Sequence, residues 1–276
     1  MTLNCLGKLI ALDRPKVMGI LNLTPDSFYD GGAYREPEAI LQQAGKMLQE
    51  GASFIDLGAY SSRPGAADVS EEEELNRLLP VVTLLRKHFP DIVLSIDTFR
   101  SGVAQRCLDL GAAIINDISA GGLDPKMMQA IAGYRAPYIM MHMKGTPRSM
   151  QEQARYGDLA GELLYYFSEK LALARACGIN DCIVDPGFGF AKTTEQNYAL
   201  LGQLDQIAAF GLPMLAGLSR KSMIYKVLGT SPEHALNGTT ALHMVALGKG
   251  ARILRVHDVK EAMECIALHE ALDKKY

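Results

Sequence analysis

The sequence predicts an α/β fold, a closed (β/α)8 barrel in a single domain spanning residues 1–276. Three observations lead there. Eight short apolar runs each stop at a polar or charged residue. Segments with helical periodicity lie between successive runs, and glycines stand where those segments give way to the next run. This is the pattern of a TIM barrel, whose chemistry sits at the C-terminal ends of its strands. The polar residues that close the eight runs should therefore look into one cup.

In chain order, VMGILN ends at Asn22, FIDLG carries Asp56, IVLSID ends at Asp97, and AIIND ends at Asn116 and Asp117. In the second half, YIMMH reaches His142, CIVD reaches Asp185, MLAGLS reaches Ser219, and RILRVHD holds Arg255 and His257. Their Val and Ile content suits parallel strands covered on both faces. Covering helices are expected near residues 36–50, 71–89, 101–110, 125–132, 158–177, 195–210, 232–248 and 259–274. Ser70 precedes the run Glu71 to Glu74, which places carboxylates in a first turn where the helix dipole favours them. Gly51, Gly111, Gly178, Gly211 and Gly250 take the usual position of a helix C-terminal stop. The polar stretches 24–35, 61–68 and 144–157 all follow strand ends and are candidate lids over the cup.

Composition narrows the partners. The 28 basic and 31 acidic residues nearly balance and form no basic stripe, which argues against nucleic acid or a membrane surface. Five scattered cysteines without a C-x-x-C pair fit a reduced cytoplasmic protein without structural disulfides or a zinc cluster. Neither a signal peptide nor a membrane-length apolar segment is expected.

The blocks at the strand ends are more specific. MGILNLTPDSFYDGG (18–32), SSRPGA (61–66), SIDTFR (95–100), INDISA (115–120), MHMKGTPRSMQ (141–151), DPGFGFAK (185–192), LSRKSMI (218–224) and RVHDV (255–259) follow one another in register. Together they resemble the dihydropteroate synthase family, over essentially the whole chain. One such block would be weak, but eight in order are not a chance match. Ser62 stands where the family usually has Thr, and Tyr29 where relatives often have Ser. The resemblance implies condensation of 6-hydroxymethyl-7,8-dihydropterin pyrophosphate with p-aminobenzoate to dihydropteroate and pyrophosphate, on a barrel that is typically a homodimer in relatives.

The residue types agree with that chemistry. A pterin presents donors at its 2-amino group and N3–H and acceptors at O4 and ring nitrogens, and each buried polar atom left unpaired costs ~1–3 kcal/mol. Asp185 is expected to accept from the amino edge, Asp97 and Asn116 to serve the other nitrogens, and Lys221 to donate to O4. Arg255 can stack on the ring and bind phosphate at its edge. Met140 and Leu215 are expected to line the pterin walls. For p-aminobenzoate, Pro64 and Phe190 offer apolar contact, and Ser62, Ser219 and Ser222 offer hydroxyls or a helix start for the carboxylate. Asn22, Arg63, Arg255 and His257 are the pyrophosphate candidates, and Asn22 is the candidate ligand of Mg2+. Asp97, Lys221, Arg255 and His257 are the expected catalytic set.

Plainer roles compete with these. Asp97 can pair with Arg100, Asp185 can cap the turn at Pro186 and Gly187, and Asn116 can pair with Asp117. Phe190 can be core, Lys221 can start a solvated helix, and Arg63 can be a surface side chain. Two other functions fit a pterin barrel: a non-catalytic pterin binder, and a folate-handling methyltransferase domain. Asn22, Arg63 and His257 speak against the first, since a pure binder needs no diphosphate grip. The SRPG and SRKS blocks speak against the second.

Overall fold

The computed structural model describes residues 1–23, 29–30, 33–34, 37–60 and 69–273. An antiparallel hairpin of β1 (Thr2–Cys5) and β2 (Lys8–Ala11) comes first. The barrel starts with β3 (Lys16–Asn22), followed by the small hairpin β4 (Tyr29–Asp30) and β5 (Ala33–Tyr34). Its other strands are β6 (Phe54–Gly58), β7 (Leu94–Asp97), β8 (Ile114–Asp117), β9 (Tyr138–Met141), β10 (Cys182–Asp185), β11 (Leu215–Ala216) and β12 (Ile253–Val256). They pair in parallel in the order β10-β9-β8-β7-β6-β3-β12-β11, and a parallel bridge from Val184 to Met214 closes the ring. The predicted barrel is present.

The outer layer is α1 (Pro37–Gln49), α2 (Glu71–His88), α3 (Ser101–Asp109), α4 (Met127–Tyr134), α5 (Leu159–Ala176), α6 (Thr194–Gly202), α7 (Leu204–Ala208), α8 (Ser222–Leu228), α9 (Leu236–Gly248) and α10 (Val259–Asp273). Local chemistry sets several boundaries. Ser70 Oγ accepts from Glu73 N at 3.1 Å and starts α2. Thr193 and Gln196 form a reciprocal capping box at α6. All five glycines expected as helix stops have positive φ, from 66° to 105°. Two expectations are corrected. The segment 195–210 is two helices, because the chain breaks at Gln203. The run MLAGLS ladders only at Leu215 and Ala216; beyond them Lys221 N donates to Leu218 O at 3.1 Å and Arg220 takes φ 54°, so the chain turns and then coils as α8.

Alternation along the strands sorts the core. Met18, Phe54, Ile114, Ile139, Ile183, Leu215 and Ile253 fill the barrel's lower interior and pack with Leu3, Cys5 and Leu12 of the N-terminal segment, which stoppers that end. Their strand neighbours, among them Val17, Ile55, Ile115, Met140, Val184 and Leu254, pack outward in the core shared with the helices. Among the described residues no helix is long and apolar enough to cross a membrane, and the five cysteines are free thiols.

Candidate active site

Two positions above the hydrocarbon floor, the inward residues become polar. Phe54 gives way to Asp56, Ile114 to Asn116, Ile183 to Asp185 and Ile253 to Arg255. The strand register sets Asn22 opposite Gly58, Gly58 opposite Asp97, and Asp97 opposite Asn116, one row across four strands. Gly58 matters here for what it lacks. A Cβ at that position would stand 3.6 Å from Asp97 Oδ2 and 3.7 Å from Asn22 Oδ1, in the space where those two groups meet.

Arg255 is the hub. Its Nε donates to Asp56 Oδ2 at 2.6 Å and its Nη2 to Asp97 Oδ2 at 2.7 Å. Asn116 Nδ2 donates to the same Asp56 oxygen at 3.0 Å. Asp56 is fully buried, and its other oxygen, Oδ1, has no partner among the described residues. Asp56 was expected to look into the cup but carried no assigned role there. The signal was a lone carboxylate inside the otherwise apolar FIDLG run, a residue type rarely buried unless paired. Arg100, the alternative partner of Asp97, is engaged elsewhere, with Glu74 and Val69 O.

Across the cup, Asp185 ends β10 with its Oδ1 accepting from Gly187 N at 2.8 Å, so it does cap the turn, and it is still an inward carboxylate. Lys221 is not a solvated helix start. It is half-buried, its Nζ donates to Phe188 O, and it lies 5.0 Å from the centre of the Phe190 ring. Phe190 packs at the edge of a small cluster with Ile118, Met141 and Ala191. Ser219 Oγ accepts from His257 N at 3.2 Å and lies 3.0 Å from His257 Nδ1. The hydroxyl, already accepting, suits donation to Nδ1, which puts the ring proton on Nε2. His257 is exposed at the rim, and Ser222 is half-buried as the first residue of α8.

The remaining expectations divide. Leu215 faces the barrel axis but lies in the floor, one layer below the polar row. Met140 is corrected: its side chain belongs to the core between sheet and helices, because Ile139 faces inward and neighbours on a strand face opposite ways. Met141, in register with Asp185, takes the inward position. Arg220 is structural, as a two-pronged bond to Asp258 at 2.8 Å and bonds to Pro232 O and Glu233 O tie the α8 turn to the start of α10. His142 is buried, with its ring edge-on to Tyr166. Ser62, Arg63 and Pro64 lie outside the described residues.

The electrostatics follow from three carboxylates, Asp56, Asp97 and Asp185, facing two cations, Lys221 and Arg255. Burial pushes the Asp97 carboxyl up to about 7, against the pull of Arg255 and with help from Asp56. Burial also raises Asp185, which Lys221 opposes, and draws Lys221 down to about 8, which Asp185 opposes. Burial works against the Arg255 charge too, but Asp56 and Asp97 overrule it and hold its pKa above the ordinary range.

Carboxylates and cations meet at the mouth of this parallel barrel, and the sequence profile of the family described as "Pterin binding enzyme" matches residues 18–257, which sets the chain among the pterin-binding enzymes. The dihydropteroate synthase of Synechocystis sp. is 45% identical over 262 residues, covering 94% of this chain and 90% of its own. That of Escherichia coli is 43% identical over 267 residues, 96% of this chain and 94% of its own. The Xanthomonas albilineans dihydropteroate synthase solved with 4-aminobenzoic acid superposes with a TM-score of 0.92 at 38% identity, over 100% of this chain and 99% of the other. The chain belongs to the dihydropteroate synthase family.

Proposed function

We propose that this chain joins 6-hydroxymethyl-7,8-dihydropterin pyrophosphate to p-aminobenzoate, giving 7,8-dihydropteroate and pyrophosphate in folate biosynthesis, with the whole chain acting as one catalytic domain. The observation that carries this is the row of Asp97, Asn116, Asp185, Lys221 and Arg255 around one cup, at the C-terminal end of the strands. Asp185 accepts from the 2-amino group and N3–H of the pterin, Asn116 and Asp97 meet the remaining ring nitrogens, and Lys221 donates to O4. Arg255, clamped by Asp56 and Asp97 through Nε and Nη2, presents a fixed plane to the ring, and its remaining edge faces the diphosphate.

The reaction breaks the C–O bond between the pterin methylene and the diphosphate, with the electron pair leaving on pyrophosphate. The electron-rich ring spreads the positive charge that develops, and Asp97 sets a negative charge beside it. The neutral arylamine nitrogen then forms the C–N bond and releases a proton. Arg63, Arg255, His257 and Asn22 hold the leaving group, and Ser62, Pro64, Phe190, Ser219 and Ser222 hold the arylamine. Met141 replaces Met140 as the inward methionine of β9, and Leu215 supports the floor.

Mg2+ fits this site as an ion shared with substrate. Asn22 offers one half-buried amide oxygen beside Asp97, and the described residues contain no cluster of three or more acidic, His or Cys side chains to cage a metal. When bound, the ion neutralises diphosphate oxygens. A homodimer through the α8–α10 side is supported by the exposed Val227, Leu228, Val245, Leu268 and Leu272. A cytoplasmic location is supported by the free thiols. The relative of Yersinia pestis was solved with a sulfonamide drug complex, and we propose that this chain is likewise a sulfonamide target.

The test is mass-spectrometric detection of dihydropteroate, with each substrate omitted in turn. Both substrates are expected to be required for product, while pyrophosphate is released slowly from the pterin substrate alone. No product with both substrates present would overturn the assignment. No pyrophosphate without arylamine would replace the dissociative path with a concerted displacement.

A further inference from the structure

We propose that Lys192 is a positioning residue whose buried ammonium acts as a built-in cation within the loop after β10, holding Asp185 and Phe190 in place for the two substrates. The proposal rests on the role given to Asp185 above. Lys192 is only 3% exposed, yet its Nζ donates to Gly187 O at 3.0 Å, to Phe190 O at 3.1 Å and to His142 Nδ1 at 3.1 Å. Three acceptors meet three N–H donors, so the ammonium is fully used.

The loop needs such a tie. Gly187, Gly189 and Ala191 have φ of 72°, 82° and 49°, a path that turns the carbonyls of 187 and 190 inward. Unpaired, each buried carbonyl would cost ~1–3 kcal/mol. The same loop accepts from Lys221 at Phe188 O, gives Gly187 N to Asp185, and carries Phe190, so its shape sets both subsites. His142 completes the cage as a neutral ring. Burial, aided by Lys192 and Lys144, lowers its pKa to about 2, and in the neutral ring Nδ1 can accept from the ammonium. Burial draws Lys192 itself down to about 7, while Asp185 favours its charged form and gains from it. A methionine would fill the same space but tie nothing.

Lys192→Met and Lys192→Ala, made in the full chain and checked for folding by circular dichroism, test this. Lys192→Met is expected to raise KM for the pterin substrate roughly tenfold or more, with a smaller fall in kcat. Lys192→Ala is expected to regain activity with added propylammonium, which restores the missing carbons and charge, and not with 1-propanol. A folded Lys192→Met with the parent's KM overturns the proposal, as does equal recovery with 1-propanol, which would make the residue packing alone. If both variants fold too weakly to assay at the working temperature, the melting temperature of Lys192→Ala, followed from the cold, decides: a rise with propylammonium alone supports the cage, and no rise overturns it. An inactive parent chain would overturn the functional assignment instead, and the melting comparison would still judge the cage.

Discussion

Phe54 and Asp56 are two positions apart on β6 and both face the barrel axis. Phe54 packs among Met18, Ile114, Ile253 and the N-terminal hairpin, whereas Asp56 holds Arg255 and Asn116 through one oxygen and leaves the other without a partner among the described residues. The same shift of two residues separates Ile183 from Asp185 and Ile253 from Arg255. One layer gains from excluding water, and the next keeps charges out of water at a cost that only mutual pairing offsets. Stability and activity are therefore divided between two rungs of the same strands.

The largest expected effect breaks the upper rung at its backbone. A Cβ at Gly187 would stand 2.1 Å from His142 O, in a left-handed conformation, so Gly187→Ala must displace the loop that carries Asp185. Its dihydropteroate formation is expected to fall below detection and its stability by about 3 kcal/mol or more in urea titration. A paired experiment comes next. Phe54→Ala is expected to cost ~3–5 kcal/mol with little change in substrate KM. Asp56→Ala is expected to lose about a hundredfold in kcat/KM through misplaced Arg255 and Asn116, with a smaller loss of stability than Phe54→Ala because Arg255 keeps its pairing with Asp97. If both variants lost stability and activity alike, the division between rungs would be gone.

The smallest effect is in pH. With its pKa raised to about 7, Asp97 is protonated below that value, so kcat/KM for the pterin substrate is expected to fall as pH drops through 7, and Asp97→Asn to abolish that limb. The unfolded carboxyl titrates near 3.9, so between about 4 and 7 the folded chain binds the extra proton. The melting temperature should therefore decline as pH rises across that window, and less so in Asp97→Asn. A melting profile identical in the two proteins would show that Asp97 is not a strained charge.

Much of this was legible in the chain. Strand ends carry their own punctuation, and positive-φ glycines mark helix stops because few other residues take that conformation. What was hidden has physical reasons. The run YIMMH is buried on both faces, so nothing in it tells inward Met141 from outward Met140. Asp56 is legible as an inward carboxylate, but its grip on Arg255 joins residues 199 apart in sequence. The N-terminal hairpin was missed because strands of four residues are too short to show a period. Lys192 stands in a recognised block, but its tripod depends on His142, fifty residues away in sequence.

The hairpin that stoppers the barrel has a consequence for traffic. With Leu3, Cys5 and Leu12 sealing the lower end, the cup is a well with one opening. Whatever seats deepest must arrive first and depart last. On the substrate placement proposed above, the heterocycle enters before the aryl partner, and the split-off diphosphate leaves from the rim while the coupled product is still below it.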